Sequence, residues 1–218
     1  MTTLLIATRN AHKVGEIRAI LGAQFHFLTL NDFPAAPKVI EDADTFAGNA
    51  MKKATELARW ITGNSKLKTQ NSKLDFVLAD DSGLEVDALN GAPGVHSARF
   101  AAMDSARSGN APDAENNAKL LRLLKDVAAE KRAARFRCVI ALAEINPQSA
   151  IRNPQLFNGA CEGRIIFAPC GKNGFGYDPL FVPDGCEQTF AELGEDVKNR
   201  LSHRARALEM LKLYFAKM

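Results

Sequence analysis

Aromatic residues are scarce in this 218-residue chain, 7% in all with one tryptophan and two tyrosines, and they are not interleaved with basic positions. That argues against a protein that stacks single-stranded nucleic acid along a basic face. No concentrated basic stripe exists either. The net charge of +3 is spread along the chain, which suits a small anionic substrate better than a nucleic acid polymer. No apolar run approaches the roughly 20 residues that span a bilayer, so no membrane association is expected. Met1 to Ala7 is apolar, but no basic segment precedes it and Arg9 follows at once. It reads as a first strand rather than a signal peptide. The four cysteines, Cys138, Cys161, Cys170 and Cys186, form no C-x-x-C pair, so neither a zinc site nor a disulfide framework is indicated. Reduced thiols in a cytoplasmic protein are the expectation. What is present is ordinary globular material, 46% hydrophobic and 24% charged, long enough for one sizeable core or two lobes sharing a sheet.

Apolar periodicity orders this material. Leu4 to Ala7 predicts a strand that ends at Thr8-Arg9-Asn10. Val14, Ile17, Ile20 and Leu21 then recur at helical spacing over 12–22. A second strand is expected from Phe25 to Leu30. Thr45 is a good N-cap for a helix from Phe46 to about Ile61, with Phe46, Ala50, Ala54, Leu57, Ala58 and Ile61 as its buried stripe. Residues 62–75 read as an inserted surface loop containing a small duplication, Asn64-Ser65-Lys66-Leu67 and Asn71-Ser72-Lys73-Leu74. A similar pair, Asn146-Pro147-Gln148 and Asn153-Pro154-Gln155, falls in a hairpin connection. Phe76 to Ala79 and Leu84 to Val86 predict two strands around a turn at Asp80-Asp81-Ser82-Gly83, and Gly91-Ala92-Pro93-Gly94 breaks the chain again. A helix over 114–127 follows. Strands over 135–144 and 155–167 are able to pair as an antiparallel hairpin. The last helix starts near Ser202, with Leu208, Leu211, Leu213 and Phe215 as its apolar side. Strands alternating with helices early and pairing as hairpins later predict an α/β protein with a mixed sheet.

Four polar clusters sit at predicted strand ends, where open α/β sheets place ligands. Thr8-Arg9-Asn10-Ala11-His12-Lys13 joins the first strand to the first helix, where amides and Lys13 suit phosphate, although a plain capping turn also explains the pattern. It lacks the glycines of a Walker loop. Asp80-Asp81-Ser82-Gly83 follows a buried strand. A carboxylate there is suited to Mg²⁺ and to orienting water, and an Asx-turn is the equal alternative. Gly171 to Pro179 offers glycines for close approach and Phe175 for stacking a base. Lys198 to Arg204 places His203 and Arg204 in the first turn of a helix, where cations are disfavoured unless an anion or ligand compensates.

Together these clusters resemble the inosine triphosphate pyrophosphatase family. The matching segments run in family order: Leu5-Ile6-Ala7-Thr8-Arg9-Asn10 with Lys13, Thr45-Phe46 with Asn49-Ala50 and Lys53-Ala54, and Ala79-Asp80-Asp81-Ser82-Gly83-Leu84. Gly91-Ala92-Pro93-Gly94 with Ser97-Ala98-Arg99, Phe175-Gly176-Tyr177-Asp178-Pro179, and Lys198 with Ser202-His203-Arg204 complete the set. The resemblance covers nearly the whole chain. It implies one domain over 1–218 with an elongated two-lobed α/β fold, a central mixed sheet flanked by helices, a nucleotide cleft between the lobes, and a homodimer. It further implies hydrolysis of ITP, dITP and XTP to the monophosphate and pyrophosphate, which removes deaminated purines. Carried across by residue, Thr8, Arg9, Asn10, Ala11, His12 and Lys13 bind the triphosphate, and Lys53 touches phosphate. Asp81 is the proton acceptor and a Mg²⁺ ligand, with Ser82 beside it on the substrate. Phe175, Gly176, Tyr177 and Asp178 hold base and sugar, Lys198 reaches the nucleotide, and His203 and Arg204 read the base. Donors such as Arg204 suit the 6-oxo group of hypoxanthine and xanthine, and they reject the 6-amino group of adenine by leaving polar groups unpaired.

The chain departs from the family at Gly48, where many relatives have an acid just before Asn-Ala. An earlier acid resembling Glu41 is therefore the expected second metal ligand, with Asp42 or Asp44 as substitutes. Three rival readings follow: a related enzyme for other modified nucleotides, a nucleotide-binding protein that lost catalysis, and an RNA-binding role.

Overall fold

Strand β1 (Thr2–Ile6) is buried from Thr3 onward, because it lies inside a sheet and pairs on both edges. It runs parallel to β2 (Phe25–Thr29), with Leu4 opposite Phe27. It is also parallel to β3 (Phe76–Val86), with Leu4 opposite Phe76. The sheet has six strands in the order β2-β1-β3-β4-β5-β6, completed by β4 (Ala133–Glu144), β5 (Gln155–Ile165) and β6 (Phe181–Pro183). Strands β5 and β6 are antiparallel, so the sheet is mixed, as expected. This computed structural model describes residues 1–64, 74–105, 107–145 and 153–218. The expectations for 65–73, which include most of the inserted loop and its duplication, and for Asn146-Pro147-Gln148 lie outside the described residues.

Six α-helices are described: α1 (Ala11–Leu21), α2 (Phe46–Gly63), α3 (Asp113–Leu123), α4 (Phe190–Leu193), α5 (Glu195–Leu201) and α6 (His203–Phe215). Helix α2 follows its sequence closely. Thr45 caps it by accepting from the Gly48 amide at 3.0 Å, and all six residues of the expected stripe are buried. Among the described residues no helix is long and apolar enough to cross a membrane.

The chain forms two compact units. The first comprises residues 1–81, 138–158 and 207–218. Its core joins Leu4 and Ile6 of β1, Ile17 and Leu21 of α1, Ile140 of β4 and Leu211 of α6. The second comprises 82–137 and 159–206, with Leu84, Phe136, Tyr177, Phe181 and Phe190 in its core. Rings provide much of its packing: Phe136 meets Phe181 edge-on at 4.7 Å, and Phe181 stacks on Phe190 at 5.5 Å.

Three sequence expectations are corrected. The turn at Asp80-Asp81-Ser82-Gly83 does not exist, because Phe76–Val86 is one continuous strand. Its acids tolerate the sheet interior because lysines and an amide from distant elements meet them, as described below. The helix expected over 114–127 ends at Leu123. Leu213 does not join the apolar side of α6 but is 49% exposed, whereas Leu208 and Leu211 are fully buried. Leu208 and Leu211 are three residues apart on one helix face, and Leu213 falls off that stripe. The short strand β6 and the short helices α4 and α5 escaped periodicity, being too brief to show a repeat.

The four cysteines are free thiols in very different settings: Cys138 and Cys161 are buried, and Cys170 is exposed. Burial pushes the Cys161 thiol up to about 11, which starves it of the reactive thiolate. Iodoacetamide at about pH 8 is expected to alkylate Cys170 in the native protein and to reach Cys161 only after denaturation, as read by peptide mass spectrometry. Equal native labelling of Cys161 and Cys170 would show that β5 is not packed as described.

Candidate active site

The first unit holds a buried pair of acids whose side chains point to opposite faces of β3, as adjacent strand residues must. Asp80 is 2% exposed. Lys13 Nζ of α1 donates to its Oδ1 at 2.5 Å, and Cys138 Sγ donates to its Oδ2 at 3.1 Å. A carboxylate this deeply buried requires such partners. Asp81 faces α2 instead. Asn49 Nδ2 donates to Asp81 Oδ2 at 3.1 Å, and Lys53 Nζ lies 3.6 Å from Asp81 Oδ1. Asn49 and Lys53 are four residues apart, so they share one helix face. Burial pushes the Asp81 carboxyl above the ordinary aspartate range, and Lys53 and Lys13 oppose this only in part.

Lys53 is the hub of this group. Its ammonium donates to the Asp80 carbonyl at 2.7 Å and lies 3.2 Å from Glu41 Oε2. Glu41 and Asp81 thus converge on one cation. Asp42, by contrast, pairs with Lys52 at 2.6 Å on the surface. Asn49, for which the sequence suggested no role, is fully buried and ties two parts of the site together. Its Oδ1 accepts from the Ala43 amide at 3.0 Å while its Nδ2 holds Asp81. The only signal for it was its place in the Asn49-Ala50 motif. Gly48 now has a spatial reason: a Cβ there would approach the Ala43 Cβ to 2.7 Å. An acid at this position would require the chain around Ala43 to move.

The Thr8–Lys13 cluster serves partly as the capping turn. Asn10 Oδ1 accepts from the Lys13 amide at 3.1 Å, and Thr8 Oγ1 accepts from the Asn10 amide at 3.1 Å. Arg9 reaches back to the Ala36 carbonyl at 3.3 Å. Arg9, Asn10, Ala11 and His12 are exposed, and no acid occupies the first turn of α1. The turn therefore still offers an anion the positive end of an eleven-residue helix.

The second unit holds an aromatic and cationic group. Ser82, which follows Asp81 in β3, accepts from Arg204 Nη2 at 2.8 Å. Arg204 is 1% exposed. Asp178 organises the glycine loop: its Oδ2 accepts from the Phe175 amide at 2.9 Å and from Lys198 Nζ at 2.5 Å. Gly174 is obligatory beside it, since a Cβ there would overlap the Asp178 carboxylate and φ is +75°. The Phe175 ring is faced by Lys198 Nζ at 4.3 Å and by the Arg204 guanidinium at 6.0 Å. His203 is buried and stacks on Phe136 at 4.8 Å with 13° between the planes. Tyr177 points into the fold, where its hydroxyl donates to the Ser97 carbonyl at 2.9 Å and burial raises its phenol.

A buried acid pair gripped by lysines, at the centre of a mixed α/β sheet, marks an enzyme of the α/β class. Comparison narrows the class. The Ham1 family model matches residues 4–214. The dITP/XTP pyrophosphatase of Geobacter sulfurreducens is 47% identical over 97% of this chain and 96% of its own length. That of Shouchella clausii is 45% identical over the same shares. The solved structure of a HAM1 protein from Coxiella burnetii superposes with a TM-score of 0.79 at 37% identity, covering all of both chains. The chain belongs to the Ham1 family.

Proposed function

We propose that this protein hydrolyses dITP, XTP and ITP to the nucleoside monophosphate and pyrophosphate. The observation that carries the reading is Asp81: a buried carboxylate with its proton affinity raised, held by Asn49 and next to Lys53. Such a group is suited to accept a proton from water. Thr8 to Lys13 and Lys53 supply the donors that a triphosphate needs. Phe175 provides a ring face for the base, Ser82 meets the substrate beside Asp81, and His203 and Arg204 select the 6-oxo purine. Tyr177 and Asp178 shape the base-holding loop, and Lys198 reaches the nucleotide.

Mg²⁺ belongs to this reading. Among the described residues no three His, Cys, Asp or Glu side chains form a metal cluster. Glu41 and Asp81 each lie against the Lys53 ammonium, and two carboxylates are the donors suited to an ion that takes one or two protein oxygens and completes its shell with phosphate and water. When bound, Mg²⁺ offsets the charge of the polyphosphate. The family resemblance also supports one functional domain over 1–218, a homodimer and a cytoplasmic location.

A substrate panel tests the reading. With Mg²⁺ present, pyrophosphate release is expected from ITP, dITP and XTP, and at least about 10²-fold more slowly from ATP, since a site built to pair one base penalises another steeply. ATP turnover at a comparable rate would overturn the base selection. No turnover of any triphosphate would favour a binding protein.

A further inference from the structure

Helix α3 carries a device that the sequence motifs do not include. Asp113 and Asn117 are one turn apart and face the same side, and between them they hold both peptide groups of Gly176. Asp113 Oδ2 accepts from the Gly176 amide at 2.6 Å, and Asn117 Nδ2 donates to the Gly176 carbonyl at 3.0 Å. Gly176 has φ +63° and directly follows Phe175. The grip therefore sets the loop on the C-terminal side of the ring, while Asp178 takes the Phe175 amide on the other. Asn117 is 91% buried, and its Oδ1 has no hydrogen-bond partner among the described residues. A buried acceptor left unmatched is unfavourable. The fold tolerates it while keeping the donor end on Gly176. The neighbouring Asn116 points elsewhere and holds the Ala98 to Ala101 turn, so the two asparagines of α3 have separate tasks.

We propose that Asp113 and Asn117 are positioning residues that fix the Phe175 ring for the base, and so help determine base selection. The inference rests on the nucleotide reading above and extends it to a helix that carries none of the family motifs quoted. Neither residue is required to touch substrate. Each acts through Gly176.

The test compares Asp113→Ala, Asn117→Ala and Asp113→Asn with the wild-type protein. The first two are expected to raise KM for ITP about tenfold, the effect of losing one hydrogen bond of this kind, with a smaller change in kcat and a narrower ITP-to-ATP ratio. Asp113→Asn keeps an acceptor for the Gly176 amide and is expected to restore most of the loss. A role limited to folding would lower the active fraction for ITP and ATP alike and leave KM and their ratio unchanged, which would overturn the proposal. Hydrogen exchange read by mass spectrometry supplies a second readout independent of any substrate. Exchange across 174–178 is expected to quicken in both alanine variants, and unchanged protection there would equally overturn the proposal. If the wild-type protein hydrolyses no triphosphate, the nucleotide reading fails, and the exchange measurement still decides whether the grip exists.

Discussion

Asp81→Asn is expected to lower pyrophosphate release from ITP by about 10²–10⁴-fold, the usual contribution of a positioned general base. The isosteric amide keeps the contact with Asn49, so the loss reports proton transfer and charge rather than collapse of the site. The same variant is expected to be more heat-stable than the wild type in metal-free buffer once the pH exceeds the folded pKa of Asp81. The sign follows from burial. Asp81 titrates above its unfolded value, so the folded state binds that proton more tightly than the unfolded chain does. The stability this provides is complete below the unfolded pKa and is lost as pH rises through the folded one. Above its folded pKa the bare carboxylate is thus a liability, which asparagine removes. Calorimetry with and without Mg²⁺ separates the two effects: the ion should raise the midpoint of the wild type and leave that of the variant nearly unmoved. A variant that is both inactive and less stable would mean that Asp81 serves the fold and not the chemistry.

The largest stability effect is expected at the buried pair of the second unit. Lys198 and Asp178 are 3% and 1% exposed. Asp178→Ala removes the carboxylate from a buried ammonium, and breaking such a pair costs about 3–5 kcal/mol, or a fall of roughly 10 °C in the midpoint for a chain of this size. The Phe175 amide loses its acceptor in the same substitution. Combining Asp178→Leu with Lys198→Met is expected to recover much of the stability, because apolar replacements of buried pairs are often neutral. Activity should stay lost, since the Phe175 amide is then without its acceptor. A midpoint within about 2 °C of the wild type for Asp178→Ala would show that the pair contributes little.

These two sites differ in how far they were legible in the sequence. Helix α2 could be read almost entirely, because its cap and apolar repeat are local features with a fixed period. Strand β3 could not. Two adjacent acids look like a turn until the lysines that meet them are known, and Lys13 and Lys53 lie 67 and 27 residues before Asp80. The roles proposed for Asp81, Ser82, Phe175 and Arg204 came from the order of motifs and not from any local pattern. Their neighbours Asn49 and Asp178 gained distinct positions only through tertiary contacts. Asp113 and Asn117 were invisible for a related reason: at the start of an amphipathic helix, polar residues look like a solvated face. Gly48 read as a missing charge, whereas in the fold it is a place without room for a side chain. Pairings across long sequence separation are the common cause of what was missed.

A pyrophosphatase of this kind is defined by which phosphoanhydride it breaks. ³¹P NMR of ITP incubated with the protein and Mg²⁺ distinguishes the possibilities directly. Hydrolysis between the α- and β-phosphates gives IMP and pyrophosphate in equal amounts, with no IDP and no orthophosphate at early times, and that is the predicted spectrum. Early appearance of IDP with orthophosphate would place the cut at the γ-phosphate and rule out a pyrophosphatase.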